Sequence, residues 1–264
     1  MKLRIATYNI HKGVTTFRGR PRIHALRTAL VQLDADMVFL QEVQGRHDLH
    51  AVRHALNWPQ ESQHEFLAGQ SHFSAYGMNA VYDHGHHGNA LLSRFPIASS
   101  LNHDVSDHAY ESRGILHCVI TLDQREVHCY VVHLGLFGSG RRRQVAALID
   151  AVQNATPPDA PVIIAGDFND WGNALGDQLC QRLQLREVFD EQHVNTGVMA
   201  FLRKLGGMVP RPTPARTFPA ALPYLRLDRI YLRGFRIESA EVMRGPVWST
   251  LSDHVPIVAT LHIE

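Results

Sequence analysis

At 264 residues, 45% of them hydrophobic, the chain is long enough to bury a substantial core, and the absence of a linker-like break favours a single domain over residues 1–264. Its 26 basic and 25 acidic residues leave a formal charge of +1, which excludes a global field drawing the protein to nucleic acid or membrane, so any anionic substrate has to be held locally. Cys118, Cys129 and Cys180 are too sparse and odd a set for a disulfide framework, and no run approaches the roughly 18 apolar residues of a transmembrane segment.

Leu3 to Tyr8 alternates like a strand and delivers Asn9, Ile10 and His11 to its end, before a loop from Gly13 to Gly19. No apolar leader precedes this strand, so the expected location is cytoplasmic. From Pro21 onward Ile23, Leu26, Leu30 and Leu33 follow helical spacing, with Pro21 in the first turn and Asp34-Ala35-Asp36 as the close. Met37-Val38-Phe39-Leu40 is then an apolar strand carrying Gln41 and Glu42 to its C-terminal end. Strand, helix, strand predicts a right-handed parallel crossover with Asn9 and Glu42 at one edge.

Residues 46–87 are rich in histidine, and the chain has 18 in all, too scattered for a zinc signature. The spacing predicts a short helix near 48–56 followed by irregular structure. His84-Gly85-His86-His87-Gly88-Asn89 reads as a solvated loop more readily than as a metal site. Asn89 to Ile97 reads as a strand leading to a sheet edge, because Pro96 has no N–H for a ladder. Ile115–Leu122 and Glu126–Leu134 flank Asp123-Gln124 as a hairpin. A two-residue turn opposes Cys118 to Cys129 and Leu116 to Val131, and it brings Arg113 to the rim occupied by His133. Arg141-Arg142-Arg143-Gln144 then opens a helix with Val145, Leu148, Ile149 and Val152 on one face.

Val162-Ile163-Ile164-Ala165, bounded by Pro161 and Gly166, reads as a central strand buried on both faces, and it runs directly into Asp167, Phe168 and Asn169. An Asx-rich turn is the bland reading of that end. Asn9 and Glu42 stand 33 positions apart and His133 and Asp167 stand 34 apart (42 − 9 and 167 − 133), each pair joining two strand ends across one helix. Two such halves predict two sheets packed face to face with helices outside. The rival doubly wound dinucleotide fold lacks its GxGxxG fingerprint after the first strand.

A helix is expected near Asn173 to Leu185. Val198 to Leu205 is short, apolar and basic, a helix over the core or a lipid contact. Gly206 to Pro223, with Pro210, Pro212, Pro214, Pro219 and Pro223, reads as an extended loop and a candidate lid. Leu225 to Leu232 is a strand with Asp228 in its middle, and Ser252-Asp253-His254 precedes the last strand. The strand-end polar groups, Asn9, Glu42, His133, Asp167, Asn169, Asp228, Asp253 and His254 with Arg113 nearby, suit a hard divalent ion bound beside a phosphate. A histidine next to an aspartate supplies a base of fixed tautomer, and an arginine supplies a bidentate phosphate clamp.

Tyr8-Asn9-Ile10-His11, Gln41-Glu42-Val43, Val132-His133-Leu134, Gly166-Asp167-Phe168-Asn169, Leu227-Asp228-Arg229-Ile230 and Ser252-Asp253-His254-Val255-Pro256 resemble, in order, the motifs of the endonuclease/exonuclease/phosphatase superfamily. Its members include DNase I-like nucleases, inositol phosphatases and neutral sphingomyelinases. The resemblance covers residues 4–261. It implies an α/β fold, a DNase I-like four-layer α-β-β-α sandwich of two packed mixed sheets, and attack of water on a phosphoester with Mg2+ or Mn2+ as cofactor. It implies Glu42 as the main metal ligand with Asn9 and Asp253, and Asp167 and Asn169 as the pair that orients nucleophile and phosphate. His254 held by Asp228 resembles the catalytic histidine, His133 its phosphate-binding companion, and Arg113 the phosphate-binding arginine, with Asn9 and His11 also at the phosphate.

His11 departs from the abasic-site nucleases, which carry an aspartate there. Tyr8 to Gly13 and His86-His87-Gly88-Asn89 instead look like an uncharacterised bacterial branch that is also similar to the hydrolase-like part of glycolipid-anchor remodelling proteins. The expected partner is accordingly a lipid-derived phosphoester, met at a membrane periphery. Nucleic acid cleavage is the alternative within the enzymes, and a catalytically inactive phosphate- or metal-binding module is the alternative outside them.

Overall fold

A computed structural model of the chain describes residues 1–15, 19–107, 111–172, 174–190 and 215–264. β1 (Lys2–Asn9) passes through a single 3-10 turn (His11–Gly13) into α1 (Ile23–Leu33) and returns as β2 (Met37–His47), which pairs parallel to β1 with Asn9 opposite Gln41. α1 forms because Ile23, Leu26, Ala29, Leu30 and Leu33 make one buried stripe, and it stops where Asp34 turns left-handed at φ 48°. Pro21 and Arg22 lie just before the helix rather than in its first turn.

Beyond the short α2 (Asp48–Arg53) and α3 (Gln63–Ala68), the antiparallel pair β3 (Phe73–Tyr82) and β4 (Gly85–Ser93) is followed by β5 (Ile97–Asp104). The hairpin β6 (Gly114–Leu122) and β7 (Arg125–His133) leads through α4 (Gly138–Ala155) to β8 (Val162–Asp167), parallel to β7 with His133 opposite Asp167. α5 (Gly176–Leu183), the two-residue β9 (Arg186–Glu187), β10 (Asp228–Arg233), β11 (Phe235–Val242), α6 (Trp248–Leu251) and β12 (Ile257–Ile263) complete the described chain.

One mixed sheet has the order β11-β12-β1-β2-β4-β3 and the other β5-β6-β7-β8-β10-β9. Their inner faces meet in a core that packs Ile5, Phe39 and Leu91 of the first against Cys118, Val131 and Ile163 of the second. The outer face of the first is covered by Leu26, Leu30 and Phe66, and that of the second by Val145, Leu148 and Leu179. Helix, sheet, sheet, helix is the expected four-layer sandwich. At about 1.5–3 kcal/mol for each fully buried large apolar side chain, these three interfaces dominate what holds the layers together. Among the described residues no helix is long and apolar enough to cross a membrane.

The hairpin register is the expected one: Cys118 lies opposite Cys129, and Leu116 opposite Val131. Both thiols are free and buried, with the Cys129 Sγ 3.9 Å from the Met37 Sδ of the facing sheet, and burial pushes the Cys118 thiol up to about 12.

Four sequence readings need correction. Residues 57–87 are not irregular, since α3 and β3 lie there, and Gly85, His86 and His87 belong to β4 rather than to a solvated loop. Asn89 does not lead to an edge: β4 sits between β2 and β3, and it ends before Pro96. Asp228 is the first residue of β10, not its middle, because Thr217 rather than a strand partner receives its backbone N–H, at 3.3 Å. Val198 to Leu205 and the proline-rich stretch as far as Pro214 lie outside the described residues. From Ala215 onward that stretch is bonded to the loop before the last strand, with Ala220 N–H donating to the Asp253 carbonyl at 2.7 Å and Val255 N–H to that of Thr217 at 2.9 Å.

The β6–β7 turn has both central residues left-handed, Asp123 at φ 47° and Gln124 at φ 65°, the geometry of a type I′ turn made without glycine. Gln124 is exposed, so Gln124→Gly relieves the left-handed cost without removing a contact, and it is expected to raise the unfolding free energy by about 0.5–1 kcal/mol in urea titrations. Unchanged or lower stability would contradict the turn assignment.

Candidate active site

The topology makes one sheet edge the meeting place of the polar strand ends. β1 and β2 are parallel, as are β7 and β8, so Asn9, Glu42, His133 and Asp167 emerge on the same side. β10 and β12 run antiparallel to them, which places the starts of those strands at that edge: Asp228 is directly opposite Asp167, and the Ser252-Asp253-His254 loop arrives beside Asn9. Ser252 locks the junction, its Oγ donating to the Asn9 carbonyl at 2.7 Å and accepting from the His254 N–H at 3.3 Å.

Glu42 reaches the site through a bulge. The β2–β4 register shifts between Leu40 and Val43, and Glu42 is left-handed at φ 56°, so its side chain leaves the alternation of the strand. His11, Lys12 and Asn169 are also left-handed, which gathers four of the eight such non-glycine residues among the described residues at this edge. The expected cost is of order 1–3 kcal/mol each, sustained by the packing around them.

At the centre, the fully buried Asp228 accepts from His254 Nδ1 at 2.8 Å, which turns Nε2 toward Asp167, 3.7 Å away. His133 Nε2 is 3.7 Å from the same Asp167 oxygen. Asn9 Nδ2 spans two carboxylates, 3.2 Å from Glu42 Oε1 and 3.2 Å from Asp167 Oδ2. The Asn169 N–H donates to Asp167 Oδ1 at 3.0 Å, and its Nδ2 donates to the Leu134 carbonyl at 2.8 Å, tying the loop after β8 to the end of β7. The Phe218 ring covers His254, with centroids 5.0 Å apart.

Electrostatics sort these groups into distinct protonation states. Burial alone would lower the His254 pKa, but the Asp228 and Asp167 carboxylates outweigh it and push it up to about 10, so the ring is an imidazolium at neutral pH. Burial, with Asp228 alongside, raises Asp167 to about 6, while His133 is kept neutral by burial and by the Arg113 charge. The hydrogen bond to Asp253 raises His11. Burial opposes ionisation of Asp253, and its contacts with His11 and His254 still hold it below the ordinary carboxylate value.

All ten residues singled out from sequence reach this edge. Arg113 stands in the adjoining cleft of about 620 Å³, shared with Lys12, Glu42, His87 and His133. Sequence reasoning missed Lys12, Glu111 and Thr217, and it quoted His87 and Ser252 within motifs without giving either a role. Lys12 Nζ is 4.0 Å from Glu42, and Glu111 accepts from the Leu136 N–H at 2.8 Å. The histidine pair separates: His87 faces the cleft with its pKa lowered to about 4, chiefly by burial, whereas His86 bonds the Tyr76 hydroxyl at 3.0 Å.

Two groupings bear on a divalent ion. Ligand atoms of Asp167, Asp228 and His254 lie within 4.8 Å of one another, but the 2.8 Å Asp228–His254 contact is already a hydrogen bond and leaves no room for an ion between them. The oxygen donors Glu42, Asn9 and Asp253 fit better. The two carboxylates keep 18% and 23% of their side-chain surface exposed and converge on His11, whose Nδ1 is 3.9 Å from Glu42 and 3.2 Å from Asp253. Carboxylates in such an arrangement are suited to a hard cation.

The sequence profile of the endonuclease/exonuclease/phosphatase family matches residues 6–254. "Uncharacterized protein YbhP" of Escherichia coli (strain K12) is 42% identical over 264 residues, spanning 98% of this chain and 96% of that protein. Among solved structures, the human Nocturnin catalytic domain with a bound sulfate anion superposes with a TM-score of 0.72 at 18% identity, covering 100% of this chain and 94% of that one. D. rerio TDP2 complexed with single strand DNA product superposes at 0.69 with 19% identity and 99% coverage of both chains. Such low identities speak to the fold alone. With the profile spanning nearly the whole sequence and the four-layer sandwich in place, the chain belongs to the endonuclease/exonuclease/phosphatase family.

Proposed function

We propose that the protein is a single-domain, divalent-metal-dependent phosphodiesterase acting on phospholipid or headgroup diesters. The observation that carries the reading is the buried array in which Asp167 stands 3.7 Å from both the protonated His254 and the neutral His133, with Asp228 fixing the His254 ring. An ionised carboxylate between a hydrogen-bond donor and a neutral imidazole is equipped to take a proton from water attacking phosphorus. His254, charged at neutral pH, donates from Nε2 to a phosphoryl oxygen, so the base role that its Asp partner suggested from sequence passes to Asp167. Asn9 and Asn169 orient the carboxylate, and Arg113, Lys12 and His133 hold the phosphate, while His11 steadies Asp253. A Mg2+ or Mn2+ ion on Glu42, Asn9 and Asp253 would supply further charge neutralisation at the phosphate.

The lipid preference draws on the rim of the cleft. Val81, Leu136 and Phe137 are 69%, 56% and 62% exposed around Lys12 and Arg113, an apolar collar beside a floor that also carries the carboxylates of Glu42 and Glu111. A cytoplasmic location with peripheral membrane contact goes with this reading. Purified protein is to be assayed with bis(p-nitrophenyl) phosphate with and without magnesium, then with phospholipids, inositol phosphates, and single- and double-stranded DNA. Preference for DNA would replace the lipid reading with a nuclease, and no magnesium-dependent turnover of any diester would leave a binding module.

Glu42→Gln is expected to raise the magnesium requirement about tenfold or more, with recovery at millimolar metal, because a neutral amide no longer balances a hard cation. An unchanged metal dependence would remove Glu42 from the ligand set. Asp228→Asn is expected to slow turnover by roughly two orders of magnitude while shifting the melting temperature by no more than about 5 °C. A destabilised variant with normal turnover per folded molecule would make Asp228 a structural residue only.

For His254 the sign is set by a folded pKa of about 10 above the ordinary 6.5: its contribution to stability is full below 6.5 and disappears as pH rises through about 10. Nitrogen-detected NMR of the metal-free protein is expected to show an imidazolium at pH 8.5, and Asp228→Asn to lower its midpoint. A wild-type midpoint near neutrality would contradict the coupled pair.

A further inference from the structure

A second groove, of about 610 Å³, is lined by Asp253 and Ser252 of the site loop and shares no lining residue with the cleft that holds Arg113. Its floor is apolar, built largely from Val14, Phe218, Pro219, Ala220 and Leu251, and among the described residues its only charged lining groups besides Asp253 are Arg20 and Arg22. Both arginines are exposed, and among the described residues neither guanidinium has a hydrogen bond or an ion pair. Some surface arginines elsewhere are matched, Arg46 with Asp48, Arg94 with Asp34 and Asp36, and Arg143 with Asp107, while Arg53, Arg142 and Arg244 are exposed without such a partner among the described residues but line no groove at the site.

The backbone that carries the two arginines is held against the site. Arg22 N–H donates to the Gly13 carbonyl at 2.7 Å, Thr15 and Arg20 are joined by reciprocal bonds of 2.9 and 3.1 Å, and Val14 bridges to Pro21. Across the groove, Ala220 is bonded to Asp253 and Phe218 lies against His254. The groove is therefore continuous with the proposed catalytic edge, and its two unmatched cations sit on a chain whose overall charge is close to zero.

We propose that this groove binds a second anionic group of the substrate, a phosphate on the diester arm that lies on the Asp253 side, with Arg20 and Arg22 determining that specificity. The inference rests on the phosphodiesterase reading and narrows it. Two guanidinium groups present paired N–H donors that match phosphate oxygens, and the apolar floor accepts the carbon framework between the two phosphates. The two clefts are then complementary to an asymmetric diester, with an apolar arm against Val81, Leu136 and Phe137 and a phosphorylated arm against Arg20 and Arg22.

The test compares matched substrates that differ only in the second phosphate. Short-chain phosphatidylinositol against its 4-phosphate represents a lipid headgroup, and the dinucleotide TpT against pTpT represents a nucleotide. The wild type is expected to favour the phosphorylated member of one pair by about tenfold in kcat/KM, the pair concerned identifying the source, and Arg20→Ala/Arg22→Ala to reduce that ratio below about twofold through KM, with Arg20→Lys/Arg22→Lys recovering part of it. Equal kcat/KM within both pairs, or a ratio unchanged in the double alanine variant, would overturn the subsite. Should the wild type turn over neither pair, the phosphodiesterase reading fails on its own, and calorimetry with inositol 1,4-bisphosphate and pTpT on metal-free protein judges the groove. Binding weakened about tenfold in the alanine variant supports it, and binding that is absent or unchanged overturns it.

Discussion

The structure turns on the placement of Asp228 opposite Asp167 at the buried end of two paired strands. Two carboxylates brought side by side out of water repel each other and lose hydration, so the fold is stable only if a cation or strong donors stand beside them. His254 is that cation. It bonds Asp228 directly and lies 3.7 Å from Asp167, and the Asn9 amide and the Asn169 N–H satisfy the remaining Asp167 oxygens. Burial and the neighbouring Asp228 charge, against the lowering by His254 and these donors, raise Asp167 into the range where a carboxylate serves as a base near neutrality.

Holding that edge together requires backbone shapes that regular strands do not supply. Gly166 sits at φ 151°, and a Cβ there would lie 1.9 Å from the Val132 carbonyl oxygen, so only glycine lets β8 close on β7 and bring Asp167 level with His133. On the other sheet the Glu42 bulge rotates one carboxylate out of the buried run from Met37 to Gln44. Asn89 joins the two sheets near this end, its Nδ2 donating to the Gly114 carbonyl at 2.8 Å and to that of Val131 at 3.3 Å. The site is thus built at the seam between two halves, each contributing one parallel strand–helix–strand unit.

Much of this architecture was legible in the amino-acid order, for identifiable reasons. The central strands and α1 and α4 announce themselves because they bury one or two faces completely, and burial writes a period into the sequence. The hairpin register followed from a two-residue turn, and the polar groups at strand ends, Asn9 through His254, stood out because each interrupts an apolar run. β3 and β5 stayed hidden because both lie at or near a sheet margin and are half exposed, so Ser74, Met78, Ser99 and Ser100 show little alternation.

What the sequence determined by itself is therefore the set of buried strands, the crossover helices between them and the list of chemically able residues. Only the tertiary structure decided how those residues share protons and space. Lys12 and His87 enter the cleft through a left-handed turn and a strand whose partners lie far away in sequence, and the loop that carries Arg20 and Arg22 is pinned to Gly13 and Thr15. The protonation of His254 and Asp167 likewise depends on burial and on neighbours 26 to 87 residues distant along the chain (254 − 228 and 254 − 167). Periodicity records which faces are buried, whereas distances between side chains at converging strand ends are set by long-range register and packing, and these leave no local pattern to read.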